Sequence, residues 1–217
     1  MPYLVTQYSL LDTDKMKILC VGRNYADHAK ELNNPLNTEP VIFSKPQTAL
    51  LKDGQPFYYP DFSKNVHYEG ELVIKISKHG KNISEKFARK YYNEISFGID
   101  FTARDLQDVQ KAKGLPWEIA KAFDGSAVIG SFTSLDGVDT SNIKFSTQLN
   151  GNTVQQDDSS MMLFTFDKII AYVSRFFTLQ TGDLIYTGTP AGVGSVVVGD
   201  KLEGFIGEER LLVCEVR

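Results

Sequence analysis

The most chemically loaded stretch of this sequence is His67-Tyr68-Glu69-Gly70-Glu71-Leu72. A strand has a side-chain period of two, so the spacing predicts Glu69 and Glu71 on one face, with Leu72 and Ile74 on the other. Two carboxylates held side by side repel unless a cation, a proton or solvent intervenes. A hard divalent ion such as Mg2+ or Mn2+ satisfies them, because such ions prefer oxygen ligands and keep open positions for water or substrate. The alternative, an ordinary Glu-x-Glu on a solvated strand face, is the stronger reading of the pair alone, because surface carboxylates are common. Asp100 adds a third carboxylate at the end of the strand predicted over 95–99, at a strand-to-helix junction from which a metal is within reach.

A second group lies in Val21-Gly22-Arg23-Asn24-Tyr25-Ala26-Asp27-His28-Ala29-Lys30-Glu31. His28 and Glu31 are three residues apart on one helical turn, where a carboxylate orients an imidazole and raises its basicity. That pairing suits a general base near neutral pH; a surface His–Glu pair is the alternative. The Asn- and Pro-containing run 33–37 that follows reads as a mobile segment, a candidate lid. Arg104 and Gln107 share a helix face and suit an anionic ligand or simply solvent. Lys121 suits a developing enolate or oxyanion, or exposure. The run Thr187-Gly188-Thr189-Pro190-Ala191-Gly192-Val193-Gly194 lacks both the Gly-Lys-Ser/Thr of a phosphate loop and GxGxxG spacing, which disfavours nucleotides. Its N–H groups and the Thr189 hydroxyl still suit a carboxylate.

The elements that must position these residues read as a mixed α/β, mostly β, single domain with a few helices. Strands are predicted over 18–21, 41–43, 69–76, 95–99, 184–186, 196–198 and 211–216. The firmest helix signals start at Thr102, with Asp105 completing a capping box and Gly114 as the stop, and at Asp167. From Asp167 the apolar stripe Ile169, Ile170, Val173, Phe176 and Phe177 reads as core. At 217 residues the chain is long enough for one self-sufficient domain. The expected division is an N-terminal arm over 1–16 and a catalytic domain over 17–217.

Apolar residues make up 42% and charged residues 23%, with 27 acids against 23 bases. This balance leaves no basic footprint for nucleic acid. No apolar run approaches the roughly 18 residues of a membrane-spanning helix. Cys20 and Cys214 lie in strand-like runs without CxxC spacing, and no secretory signal pattern opens the sequence, so a cytoplasmic protein is the expectation.

The Gly22-Arg23-Asn24-Tyr25 run with His28, the 67–71 run, Asp100-Phe101-Thr102-Ala103-Arg104-Asp105-Leu106-Gln107 and the 187–194 loop together resemble the fumarylacetoacetate hydrolase family. The resemblance runs from about Lys17 to the C-terminus and is closest to the short branch of acylpyruvate hydrolases and oxaloacetate decarboxylases. It implies a β-roll, a homodimer, and Mg2+ or Mn2+ held by Glu69, Glu71 and Asp100. It further implies His28 and Glu31 as the water-activating pair and Lys121 as the catalytic lysine. Arg23, Lys45, Arg104, Gln107 and Thr189 would lie on the substrate side. The run Ala127-Val128-Ile129-Gly130 lacks a proline many relatives carry there.

The implied activity is a divalent-metal-dependent hydrolase that cleaves a C–C bond of acylpyruvate-type 3-keto acids. The metal acts as a Lewis acid on the pyruvate unit, and the His28–Glu31 pair activates water. The family motifs are shared with oxaloacetate decarboxylases and tautomerases, and with isomerases of aromatic-degradation intermediates, so those stand as alternatives at the same site. A non-catalytic metal- or keto-acid-binding protein is the alternative of another class.

Overall fold

The computed structural model describes residues 16–31, 37–52 and 54–217. Strands dominate it, as the alternation in the sequence requires. An eight-stranded sheet runs in the order Val41–Lys45, Ile18–Gly22, Leu184–Tyr186, Gly70–Ile76, Tyr92–Asp100, Ala127–Ile129 and Leu50–Lys52, with Thr133–Ser134 pairing beside Tyr92–Asp100. Two of its pairings are parallel, Ile18–Gly22 with Leu184–Tyr186 and Leu50–Lys52 with Ala127–Ile129. A four-stranded antiparallel sheet is built from Asn152–Asp158, Lys144–Leu149, Lys201–Ile206 and Glu209–Glu215. A small third sheet joins Gly194–Ser195, Val66–Tyr68 and Thr102–Ala103.

The apolar core lies between the two larger sheets. Leu72, Ile74, Phe97 and Ile99 from the first meet Phe145, Leu202 and Leu212 from the second, and the Phe97 and Phe145 ring centres are 6.3 Å apart. Burying such side chains contributes on the order of 1.5–3 kcal/mol each. This core fixes the Gly70–Ile76 and Tyr92–Asp100 strands, and with them the carboxylates at their ends. Both cysteines are buried and free. No helix among the described residues is long and apolar enough to cross a membrane.

Several local expectations change. The helix expected from Thr102 begins at Arg104 and runs to Lys113, because Thr102 and Ala103 are taken up by pairing with His67 and Val66. Asp105 therefore makes no capping box; it accepts hydrogen bonds from Ser63 Oγ at 2.7 Å and from the Lys64 N–H at 2.8 Å. Gly114 ends this helix in the left-handed conformation, as expected. The later helix spans Phe166–Val173, capped by the Thr165 hydroxyl, which accepts the Lys168 N–H. Ile169, Ile170 and Val173 are buried, but Phe176 and Phe177 fall beyond the helix end and are exposed rather than core. The strand expected at 196–198 lies instead at Gly194–Ser195, and Val197 and Val198 are exposed. The helix around His28 spans Ala26–Glu31. The expected arm falls almost wholly, and the lid run over 33–36, outside the described residues.

Candidate active site

Glu69 sits at the break between Val66–Tyr68 and Gly70–Ile76, where the chain passes from the small sheet to the large one. The register pairs Gly70 with Ile99 and Glu71 with Gly98, and the Asp100 N–H donates to the Glu69 carbonyl at 2.8 Å. Three buried carboxylates are thereby brought together: Glu69, Glu71 and Asp100 each present an oxygen within 4.8 Å of the others. The backbone must come close here. A Cβ on Gly70 would lie 2.1 Å from Thr147 Oγ1 and 2.8 Å from the Phe97 ring, so no side chain fits at that position.

Cations on neighbouring elements balance the acids. Lys121, in the short helix Glu118–Lys121, donates to Glu69 Oε2 and to Asp100 Oδ2, each at 2.7 Å. Lys45, at the end of an edge strand, places its Nζ 2.7 Å from Asp100 Oδ1, and donates to Ser126 Oγ at 3.0 Å and to the Lys121 carbonyl. Arg104 pairs with Glu69 Oε1 and donates to Gln107 Oε1 at 2.5 Å. Burial alone would raise the Glu69 carboxyl; Lys121 and Arg104 outweigh it and hold Glu69 well below the usual carboxylate range. Lys121 is likewise held above the ordinary lysine value by Asp100 and Glu69, against the effect of burial.

Glu71 differs. It accepts the Gly188 N–H at 2.7 Å, yet burial first and Asp100 second push its carboxyl well above the usual range. Asp100 Oδ1 is buried and accepts no hydrogen bond, and its one close partner among the described residues is the Lys45 ammonium, an ion pair at 2.7 Å. A buried carboxylate oxygen that accepts no hydrogen bond and a carboxyl driven toward its protonated form are what a hard dication relieves, and an all-oxygen donor set suits Mg2+ or Mn2+. The residues fit such an ion.

His28 is buried, and its Nδ1 lies 3.1 Å from Glu31 Oε2. A carboxylate only accepts, so the neutral ring carries its proton on Nδ1 and offers Nε2 as a base. Glu31 is held in turn by the Gly192 N–H, 3.1 Å from Oε1. Burial keeps His28 below the ordinary histidine value, although Glu69 and Glu31 oppose the shift.

The 187–194 loop serves as scaffold. Thr189 Oγ1 donates to the Gly70 carbonyl at 2.9 Å and accepts from Gln155 Nε2 at 2.8 Å, so its hydroxyl is committed to holding the strand. Gln155 also accepts the Gly70 N–H at 2.9 Å and donates to the Pro190 carbonyl at 3.0 Å. Asn24 bridges the Thr187 and Phe164 carbonyls at 2.8 and 3.0 Å. It packs so tightly on Gly188, whose φ is +101°, that a Cβ there would meet Asn24 Cβ at 2.6 Å.

Val21, Gly22, Arg23, His28, Phe43, Glu69, Glu71, Asp100, Arg104, Gln107, Lys111, Trp117, Lys121 and Thr189 line one pocket with about 30 Å3 of free room. That is room for about one water molecule beside the carboxylates. Every candidate named from the sequence lines this pocket except Glu31 and Lys45, which instead contact His28 and Asp100. Gln155, Asn24, Ser126, Lys111 and Trp117 carried no individual signal. Only the run Gly114-Leu115-Pro116-Trp117 after a helix stop marks an aromatic fixed beside the site.

Residues 17–216 match the family described as "Fumarylacetoacetate (FAA) hydrolase C-terminal". The chain is 42% identical over 190 residues to oxaloacetate tautomerase FAHD1, mitochondrial, of Bos taurus, covering 87% of this chain and 86% of that one. It is 41% identical over 199 residues to oxaloacetate tautomerase YcgM of Escherichia coli (strain K12), covering 90% of each. Among solved structures, that of fumarylpyruvate hydrolase from Pseudomonas aeruginosa in complex with Mn2+ and pyruvate superposes with a TM-score of 0.86. That match has 39% identity over 92% of this chain and 88% of that one. The curled sheets, the order of the four motifs and these matches agree: the chain belongs to the fumarylacetoacetate hydrolase family.

Proposed function

We propose that this chain is a divalent-metal-dependent enzyme that interconverts the keto and enol forms of oxaloacetate. The observation that carries the reading is the convergence of Glu69, Glu71 and Asp100 on one pocket with two proton-handling groups, His28 and Lys121. The names of the FAHD1 and YcgM relatives support oxaloacetate as substrate. The Mn2+ and pyruvate of the Pseudomonas structure support a divalent ion and a pyruvate unit.

A dication held by Glu69, Glu71 and Asp100 supplies Lewis-acid polarisation of a 2-keto carboxylate. The remaining work belongs to the side chains. His28 Nε2, neutral and oriented by Glu31, removes a proton from C3 of the keto acid. The C–H electron pair becomes the C2=C3 double bond, the carbonyl pair moves onto oxygen, and that oxygen takes up a proton from solvent while His28 returns its own proton to solvent. Lys121 offsets the negative charge that develops there. The reverse sequence regenerates the keto form, so no atom is gained or lost overall.

The Gly192–Glu31–His28 relay favours hydrolysis of acylpyruvates as a second reaction, because it fixes a base suited to water. In that reaction His28 takes a proton from water as its oxygen adds to the C4 carbonyl. The C3–C4 bond then breaks, C3 keeps the electron pair and receives the proton, and the products are pyruvate and a carboxylic acid. Decarboxylation of oxaloacetate needs no attacking water at all.

Replacing Glu69 with Ala tests the core of this reading. The variant is expected to lose both Mn2+ binding by calorimetry and oxaloacetate enol–keto conversion followed by ultraviolet absorbance. Undiminished conversion without bound metal would overturn it.

A further inference from the structure

Four cationic side chains other than histidine line the pocket, and two of them are already spoken for: Arg104 by Glu69 and Gln107, and Lys121 by Glu69 and Asp100. The other two, Arg23 and Lys111, make no ion pair among the described residues. Both are set against the ring of Trp117: the Arg23 guanidinium carbon lies 5.9 Å from the indole centre and the Lys111 ammonium 6.0 Å. Both are half-buried, whereas Glu69, Glu71 and Asp100 are buried, so the two cations sit at the rim with the acids beneath. Arg23 is also one of only three non-glycine residues with positive φ among those described, at +59°. A non-glycine residue is held in that region only where the structure around it enforces the conformation.

Half-buried cations without a counter-ion are costly, and a carboxylate placed between them recovers that cost as charge-assisted hydrogen bonds. Burial first, then Arg104 and Arg23, lower the Lys111 ammonium below the ordinary lysine value, with Glu69 and Asp108 opposing the shift. The indole packs against both cations but carries no acceptor, which leaves them open to pairing with the carboxylate of a ligand.

We propose that Arg23 and Lys111, set against Trp117, form a subsite for a second carboxylate, so that the pocket selects dicarboxylic 2-keto acids over monocarboxylic ones. This rests on the keto-acid reading above and extends it. Oxaloacetate and fumarylpyruvate carry the second carboxylate; acetylpyruvate does not. The buried acids and their dication take the 2-keto carboxylate end, and the rim takes the far end. Lys111 is thus a specificity residue and Trp117 its positioning residue.

The test uses binding as well as turnover. Calorimetry on the Mg2+-loaded full chain compares 2-oxoglutarate with 2-oxobutyrate, two keto acids that differ in the terminal carboxylate. The wild type is expected to prefer the dicarboxylate by about tenfold to a hundredfold. Lys111→Met should remove most of that preference while the melting temperature stays near wild type, and Lys111→Arg should retain it. In parallel, kcat/KM for fumarylpyruvate should fall further in Lys111→Met than kcat/KM for acetylpyruvate. Equal binding of the two keto acids by the wild type, or an unchanged preference in Lys111→Met, would overturn the subsite. Selective binding without turnover of any keto acid would instead overturn the reaction reading and leave the subsite standing.

Discussion

The Gly188 N–H donates to Glu71 Oε2 at 2.7 Å, so a glycine of the 187–194 loop meets the carboxylate whose proton affinity is most raised in the site. Lys121 serves Glu69 and Asp100 instead. Glu71 therefore holds a proton over a pH range in which an ordinary carboxyl is ionised. A dication must displace that proton. Metal binding is expected to release protons and to strengthen as pH rises toward the raised Glu71 value. Calorimetry in buffers of different ionisation enthalpy measures the release; a binding heat independent of buffer would contradict it.

Lys121 also carries stability. Lys121→Met leaves Glu69 and Asp100 buried with one cation fewer, and breaking a buried pair in this way costs about 3–5 kcal/mol. The metal-free variant should melt well below wild type. Mn2+ should restore part of the loss, because a dication replaces the missing charge. A melting temperature equal to wild type in metal-free buffer would show that the lysine is not compensating these acids.

The pH–rate profile reports on His28. Burial lowers its pKa, and in the proposed role the imidazole must be neutral, so activity is expected to be lost as pH falls through that lowered value. The acid limb of kcat/KM should lie below the ordinary histidine value of about 6.5. Glu31→Gln removes an interaction that raises the His28 pKa, so it should move the limb further down, not up. His28→Ala should lower fumarylpyruvate hydrolysis by about a hundredfold to ten-thousandfold, and oxaloacetate decarboxylation much less. Equal losses would contradict the division of labour.

Gln155 links the metal strand to the loop through Gly70, Thr189 and Pro190. Gln155→Leu should cost about 1–3 kcal/mol by leaving the Gly70 N–H unpaired. It should also weaken Mn2+ binding, although Gln155 touches no carboxylate of the site. A change in melting temperature alone, with metal affinity intact, would limit its role to folding.

These residues show what the sequence made legible. Glu69, Glu71, Asp100 and His28 are chemically conspicuous residue types, but each spacing taken alone was at least as compatible with a solvated surface. Their convergence was visible only through the family resemblance, since Glu69 and Asp100 meet by a cross-strand register that no local pattern encodes. Gln155 was silent, and Asn24 counted only as part of the Gly22–Tyr25 run, because an amide in a strand or loop looks the same whether it faces solvent or bridges two buried backbones. Thr102 misled for a related reason: a hydroxyl before a helix is a cap unless a distant strand claims its backbone, and Val66–His67 claims it. Phe176 and Phe177 kept helical spacing past the point where the helix ends at Val173.

The most direct measurement is turnover of oxaloacetate, fumarylpyruvate and acetylpyruvate by the purified chain, loaded with Mg2+ or Mn2+ and after chelation. The expected result is enol–keto conversion of oxaloacetate and slower cleavage of the acylpyruvates, all lost on chelation and regained when metal is returned. Turnover that persists in chelated protein, or none with any of the three in metal-loaded protein, would contradict it.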